Sequence, residues 1–146
     1  MSGDDFGVRP AEPVDGDAVA HLLGVLGYPT SAAQARARIA RLERVEGARV
    51  LVAELDGAVV GVIALCPTHL LERERPSCRI TALVVEPQVR RRGVGTALLG
   101  AAEAEARRFG CFRVEVTCRP ERREAHRLYE TRGFSDRPRR FVKELG

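Results

Sequence analysis

The 146-residue chain has 45% apolar and 30% charged side chains, a composition that excludes a disordered chain and fits a soluble globular domain. Its formal net charge of +4 is mild, and its basic residues are almost all arginine, with Lys143 as the single lysine. Taken alone, this basic composition favours nucleic acid no more than a phosphorylated small molecule. No apolar run approaches the roughly 20 residues of a membrane span, and the acidic N-terminus lacks the apolar core of a secretion signal. We therefore expect a cytoplasmic protein with no membrane partner, built as a single domain over residues 1–146.

The first part of the chain predicts a strand, two helices and a hairpin. FGVRP (6–10) is typical of a short strand, and DGDAVAHLLGVLG (15–27) places apolar residues at helical spacing before a glycine stop. A second helix is indicated by SAAQARARIARLERV (31–45), which opens with the Ser-x-x-Gln spacing of a capping box. ARVLVAELDGAVVGVIAL (48–65) then contains two β-rich runs joined by Asp-Gly, which favours a tight hairpin.

The second part predicts a strand–helix–strand unit, followed by another helix and strand. CRITALVV (78–85) comes after a polar loop and is apolar on both faces towards its end, as expected of a central strand. A helix over 95–109 follows, and CFRVEVTC (111–118) alternates as a strand with one apolar face. ERREAHRLYETRG (121–133) has helical spacing, and we interpret RFVKEL (140–145) as a closing strand.

The order of these elements is β-α-α-β-β-β-α-β-α-β. The Asp-Gly hairpin favours an antiparallel pair within residues 48–65, whereas the strand–helix–strand segment of residues 80–118 forms one crossover unit. We therefore expect an α+β fold with a mixed, mostly antiparallel central sheet and flanking helices.

The chain contains four cysteines and three histidines: Cys66, Cys78, Cys111, Cys118, His21, His69 and His126. The cysteines show no C-x-x-C spacing and the histidines no H-x-x-x-H spacing, so we expect no metal site. Nothing indicates an oxidising compartment, and we interpret the cysteines as small, mostly buried thiols.

A basic, glycine-containing loop lies between the predicted central strand and the next helix. EPQVRRRGVGTALLG (86–100) sets three arginines directly before Gly93 and Gly95, where the helix begins. The first N–H groups of a helix lack intrahelical partners and carry partial positive charge, and glycine lets a phosphate approach them closely. This arrangement predicts a diphosphate cradle. A glycine-containing turn with solvated arginines is the alternative interpretation.

Other ligands for this basic loop fit the sequence less well. The P-loop pattern GxxxxGK[ST] is absent, and the dinucleotide pattern G-x-G-x-x-G fails because Leu98 stands at its third glycine. A nucleic-acid interface would rest on the arginine run alone, since aromatic residues make up 5% of the chain and tryptophan is absent. We therefore expect no nucleic-acid partner.

These features resemble the GNAT superfamily of N-acetyltransferases, which bind acetyl-CoA. VEPQVRRRGVG (85–95) is similar to the family signature V-x-P-x-x-R-x-x-G-x-G, and AHRLYETRGF (125–134) is similar to a second signature, A-x-x-F/L-Y-x-x-x-G-F. The predicted order of elements also fits the family across essentially the whole chain. The resemblance implies the acyl-CoA N-acyltransferase fold, with acetyl-CoA as cosubstrate.

The resemblance also implies which residues contact the coenzyme. The end of the central strand would run beside the pantetheine arm, with the N–H of Val85 near the thioester carbonyl. Residues 91–96 would present backbone amides to the pyrophosphate. The implied coenzyme-binding residues are Leu83, Val84, Val85, Arg90, Arg91, Arg92, Gly93, Val94, Gly95 and Thr96.

Two residues are candidates for catalysis. Tyr129 matches the family tyrosine that reaches the coenzyme sulfur, where it would act as the acid for the departing thiolate; a core aromatic is the alternative. Relatives often carry a glutamate on the strand leading into the motif, where this chain has Arg79 and Thr81. Glu115, on the non-core face of the next strand, is the candidate base, with a solvated or ion-paired glutamate as the alternative. Arg122 replaces an asparagine that contacts the coenzyme in relatives.

We therefore expect an enzyme that transfers acetyl from acetyl-CoA to a primary amine of a small molecule, by direct attack in a ternary complex. Acetylation of a protein N-terminus or lysine, and a non-enzymatic acyl-CoA sensor, are the alternatives. The acceptor is accordingly a small-molecule or peptide amine, and the resemblance leaves a homodimer open.

Overall fold

The computed structural model describes residues 6–118, 121–137 and 140–146, and it contains a five-stranded sheet in the order β1-β2-β3-β4-β5. The strands are β1 (Phe6–Pro10), β2 (Arg49–Leu55), β3 (Ala58–Thr68), β4 (Ser77–Val85) and β5 (Arg113–Val116), and the helices are α1 (Gly16–Leu26), α2 (Ala32–Glu43), α3 (Val94–Phe109) and α4 (Arg123–Thr131). Strands β1 to β4 are antiparallel neighbours, whereas β5 is parallel to β4. The predicted α+β class, mixed sheet and crossover are confirmed. No helix in the described ranges is long and apolar enough to cross a membrane.

Two apolar cores hold the helices against opposite faces of the sheet. On one face, Leu22 of α1 and Ala35 of α2 pack around Val52 of β2. On the other face, Leu98 of α3 packs over Ile63 of β3, and all five of these side chains are fully buried. Burying a leucine side chain completely contributes about 1.5–3 kcal/mol, so these stripes fix both layers.

Local sequence signals explain the helix start and the hairpin. Ser31 Oγ accepts a hydrogen bond from Gln34 N at 3.1 Å, and Gln34 Oε1 accepts one from Ser31 N at 2.9 Å, which completes the predicted capping box of α2. Asp56 and Gly57 have φ of 51° and 80°, the left-handed pair that a two-residue hairpin turn requires.

A β-bulge interrupts β4 at Thr81. Ala82 pairs with Ala64 and Ile80 pairs with Leu65, so Thr81 is an extra residue opposite β3. Because of this residue, Ile80 and Leu83 both pack towards the α3 core, although they are three positions apart. The bulge re-aims the second half of β4 and was not indicated by the sequence.

An ion pair stabilises the connection between β1 and α1. Arg9 Nη1 and Nη2 donate to the two carboxylate oxygens of Asp15 at 2.8 and 2.9 Å, and Asp15 is 5% exposed. These hydrogen bonds hold the pKa of Asp15 below its usual value, against the desolvation that raises it. Arg9 also contacts Glu54 of β2 at 2.8 Å, so one guanidinium joins three segments of the chain.

The predicted closing strand over 140–145 is wrong. Residues 140–146 form no strand, and Phe141 and Leu145 are 95% and 92% exposed. Two features explain this: the order of apolar residues in 140–145 and the shortness of the strand with which they would pair. Phe141 and Val142 are adjacent apolar residues, so no single face of such a strand would be apolar. The neighbouring edge strand β5 has only 4 residues with which to pair.

Candidate functional site

Strands β4 and β5 separate halfway along β4. The parallel pairing ends at Ile80 and Val116, where β5 also ends, while β4 continues through Thr81–Val85. On its other side this part of β4 remains paired with β3. The free edge of an extended strand presents N–H and C=O groups that can pair with another extended chain. The fold therefore opens one edge of a central strand.

The gap between the strands leads into a largely apolar cavity of about 390 Å³. Leu23 of α1 and Ile39 of α2 line one side, and Leu83, Val116 and Tyr129 line the side towards the gap. A cavity in this size range accommodates a small ligand. The cavity thus lies beside the open edge of β4.

The backbone of the basic loop makes a sharp turn just before α3. Beyond a short turn at Pro87–Val89, Arg91 and Gly93 adopt positive φ of 69° and 86°, and α3 begins at Val94. Gly93 occupies the N-cap and has no side chain with which to cap the helix, so the first N–H groups of α3 point outwards. Successive N–H groups in such a turn, at the positive end of a helix dipole, form a concavity that binds phosphate.

The arginines of the loop are held beside that turn by neighbouring acceptors. Arg90 Nε donates to the Val85 carbonyl at 3.3 Å, which folds the guanidinium back over the end of β4. Arg91 Nη2 lies 3.4 Å from Glu124 Oε1 in the first turn of α4. Exposed ion pairs of this kind contribute little, so a phosphate group can take the place of Glu124.

Gly95 serves helix packing, a role that the sequence did not indicate. A Cβ at this position would lie 2.9 Å from Leu128 Cδ2 of α4 and 3.9 Å from Val85 Cγ2. The absent side chain leaves room for the Leu128 side chain beside the start of α3. Gly93 faces more open space, where a Cβ would have Phe6 as its neighbour at 3.9 Å.

Tyr129 of α4 lines the cavity. Its side chain is 9% exposed, and its ring lies 5.5 Å from the ring of Phe134. Burial raises the pKa of Tyr129 to about 12, although Arg122 nearby acts to lower it. The phenol therefore stays protonated at physiological pH and can donate its proton.

Arg122 connects α4 to the other side of the cavity. Its Nη2 donates to the Leu26 carbonyl at the end of α1, at 2.8 Å. A guanidinium at a helix C-terminus satisfies a free carbonyl and complements the helix dipole. The chain separation of 96 residues explains why sequence reasoning missed this link. The one signal in the sequence was that Arg122 stands where related proteins carry an asparagine.

Glu115 is placed apart from Tyr129. It lies on β5 directly before Val116 and Thr117, which line the cavity, but it is not itself among the described lining residues. Its side chain is 46% exposed and lies 3.5 Å from Arg113 Nη2. The structure therefore brings Tyr129, but not Glu115, into the cavity.

The residues implied for coenzyme contact form one continuous path. Leu83, Val84 and Val85 lie along the open edge of β4, and the segment from Arg90 to Thr96 continues from it into α3. Val84 and Val94 have buried side chains, so a ligand on this path would meet backbone groups rather than side chains at these two positions. In the described residues no group of three or more His, Cys, Asp or Glu side chains could hold a metal ion.

Comparison with known sequences places this chain among acetyltransferases. A family model described as the acetyltransferase (GNAT) family matches residues 18–134. An aminoalkylphosphonate N-acetyltransferase of Salmonella typhimurium is 38% identical over 90 residues, which span 62% of this chain but only 58% of that protein. An aminoglycoside N(6')-acetyltransferase of Stenotrophomonas maltophilia is 32% identical over 136 residues, 90% of this chain and 88% of that protein.

Solved structures share the fold over nearly the whole chain. An acetyltransferase of Trypanosoma brucei has a TM-score of 0.80 at 28% identity, with 97% of this chain and 100% of that chain covered. An aminoglycoside N-acetyltransferase in complex with CoA has a TM-score of 0.84 at 17% identity, with 97% and 96% covered, and this likeness concerns the fold alone.

Proposed function

Because the chain belongs to the GNAT family of acetyltransferases, we propose that it transfers acetyl from acetyl-CoA to a primary amine of a small molecule. The family and its named relatives make the protein an N-acetyltransferase enzyme. The proposal concerns the donor, the acceptor and the residues that act on them. It includes a single domain over residues 1–146, supported by a sheet whose two faces are both covered by helices of this chain.

One observation carries the proposal: the open edge of β4 leads, through a short turn, to the start of α3, whose N-cap has no side chain. Pantetheine would extend along Leu83–Val85, and its pyrophosphate would meet the first amides of α3, with Arg90 and Arg91 beside them. The pantetheine arm is extended and carries amides, so it can form hydrogen bonds with the free edge of a strand. A diphosphate can accept hydrogen bonds from the free N–H groups at a helix N-terminus. The aminoglycoside acetyltransferase that shares this fold was solved with CoA, which supports the same donor here.

The proposed reaction is direct attack in a ternary complex. An alkylammonium group, with a pKa near 10 as for lysine, must first lose a proton to a base or water. The neutral amine then forms the C–N bond, and the N–H of Val85 stabilises the oxyanion. As the tetrahedral intermediate collapses, its nitrogen loses a second proton to water, and the C–S bond breaks as Tyr129 donates its proton to the departing sulfur. Water then reprotonates the tyrosinate. The position of Tyr129 in the cavity wall supports this role.

We propose Glu115 as the base, acting from the rim of the cavity through water. Its place beside the lining residues Val116 and Thr117 supports this role. The alternative role for the Glu115 carboxylate is an ion pair with Arg113 at the surface. Substitution of Glu115 therefore distinguishes a base from a surface ion pair.

Two small-molecule acceptors are printed in the names of the relatives, an aminoalkylphosphonate and an aminoglycoside. A cavity of about 390 Å³ supports a small amine here also. A peptide amine is the alternative acceptor, and its acetylation in preference to all small amines would replace this part of the proposal.

The experiment has two stages. Acetyl-CoA at 100 times its dissociation constant should stabilise the fold by about 2.7 kcal/mol, which raises Tm by about 5–11 °C for a domain of this size. Release of free thiol is then followed with diamines, aminoglycosides, amino acids, phosphorylated amines and peptides. Stabilisation without turnover of any amine would favour the acyl-CoA sensor, and no stabilisation would contradict the proposed donor.

A further inference from the structure

The charged side chains that line the cavity are both arginines. In the described part of the chain these are Arg38 of α2 and Arg122 at the start of α4, and no carboxylate is among the lining residues. Both reach the connection between α1 and α2: Arg122 Nη2 donates to the Leu26 carbonyl at 2.8 Å, and Arg38 Nη1 donates to Thr30 Oγ1 at 3.3 Å. Two positive charges therefore lie at the same end of the cavity.

The sheet face beyond the cavity is also rich in arginine. Thr117, which lines the cavity, accepts hydrogen bonds at Oγ1 from Arg79 at 3.4 Å and from Arg140 at 3.3 Å. The adjacent carboxylate, Glu115, lies 3.5 Å from Arg113, which offsets its charge. Around Thr117, these described side chains therefore carry more positive than negative charge.

The positive charge around the cavity favours an acceptor that carries negative charge. We propose that the acceptor is a small amine that also carries an anionic phosphate, phosphonate or carboxylate group, an inference that rests on the proposed function. Arg38 is exposed at the cavity and has donors besides the one directed at Thr30, so its planar guanidinium can bind such a group through two hydrogen bonds. Arg122 positions the wall against which the ligand lies.

The same charges disfavour a polycationic acceptor and assist the chemistry. An ammonium group brought into the cavity would be repelled by both arginines, whereas an anionic group would be attracted. Nearby positive charge also lowers the pKa of the bound ammonium, which favours the neutral amine that attacks. An acceptor with one amine and one anionic group therefore meets both requirements.

The central comparison in the test is between two amines that differ in the anionic group alone, and three further amines vary the charge. O-phosphoethanolamine and ethanolamine share the same aminoethyl unit, β-alanine supplies a carboxylate, and 1,3-diaminopropane and kanamycin supply additional positive charge. We expect kcat/KM for O-phosphoethanolamine to exceed that for ethanolamine by at least tenfold, and the diamine and kanamycin to be the poorest acceptors.

Arg38→Gln should remove this preference. Loss of a charge-assisted hydrogen bond predicts a 10- to 100-fold fall in kcat/KM for O-phosphoethanolamine, mainly through KM, with ethanolamine within about twofold. Arg41→Gln, on the same helix but outside the cavity lining, should change neither value.

The outcomes separate this inference from the proposed function. Faster turnover of 1,3-diaminopropane or kanamycin, or an equal effect of Arg38→Gln on both ethanolamine compounds, would overturn the anionic acceptor while leaving acetyl transfer intact. Bound acetyl-CoA with no turnover of any amine would contradict the proposed function and this inference with it.

Discussion

The glycine that begins α3 gives the most direct test of the anion site. Gly93 has φ of 86°, and Gly110, which ends the same helix, has φ of 88°. A Cβ at Gly93 would lie 3.9 Å from Phe6, an ordinary contact, and one at Gly110 would meet nothing within 4 Å. Alanine at either position therefore costs mainly the left-handed backbone conformation, about 1–2 kcal/mol. The two substitutions are matched in strain and differ in location.

We expect Gly93→Ala and Gly110→Ala to lower the free energy of unfolding by similar amounts, and each to lower Tm by about 2–8 °C. Only Gly93→Ala should also weaken coenzyme binding, because relief of the strain turns the first amides of α3 away from the phosphates. Loss of one hydrogen bond to a charged group costs about 1.5–3 kcal/mol, which raises Kd about 10- to 150-fold.

Isothermal titration of acetyl-CoA into each variant measures this difference, and thermal or urea unfolding measures the shared strain. If Gly110→Ala raised Kd as much as Gly93→Ala, the effect would be global rather than local. If Gly93→Ala were destabilised as expected yet kept Kd within twofold, the backbone at this position would not organise the anion site.

Three further substitutions test the chemistry and the stability of the fold. Tyr129→Phe should lower kcat by about 10²–10⁴ while Kd for acetyl-CoA stays within twofold; because its pKa is about 12, the native enzyme should show no falling limb in kcat/KM between pH 7 and 10. Glu115→Gln should lower kcat/KM at least tenfold at pH 7, and a change below threefold would remove Glu115 from the mechanism. Arg9→Met should cost about 2–3 kcal/mol in urea unfolding at pH 7, less than for a fully buried pair because Arg9 is a third exposed. Since Arg9 lowers the pKa of Asp15, the stabilisation is present above about pH 4 and is lost as pH falls, so the difference should shrink at pH 3.

Features encoded by adjacent residues could be predicted from the sequence. The capping box at Ser31, the left-handed turn at Asp56 and Gly57, and the apolar stripe of α3 are each specified within a few positions. The α+β class and the parallel crossover followed from these elements and their order. The implied coenzyme residues form one continuous path because their positions lie close together in the chain, and their contact with the coenzyme stays a prediction.

Features that depend on distant residues could not be predicted. The bulge at Thr81 is defined by its register against β3, and the Arg122–Leu26 hydrogen bond joins residues 96 positions apart. The bidentate pair of Arg9 with Asp15 looked like ordinary surface charge in the sequence. Composition likewise could not show that the arginines Arg38 and Arg122 share one cavity, which is the observation on which the acceptor class depends.

The separation of β4 and β5 has a kinetic consequence. The turn at Arg91–Gly93, which we propose binds the diphosphate, lies at the start of α3 on one face of the sheet. The cavity is walled by α1 and α2 on the other face. The proposed donor and acceptor therefore enter from opposite faces of the sheet and meet in the gap between β4 and β5. Neither has to wait for the other, so initial velocities should fit a random sequential scheme, and the acetylated product can depart while the spent coenzyme is still in place.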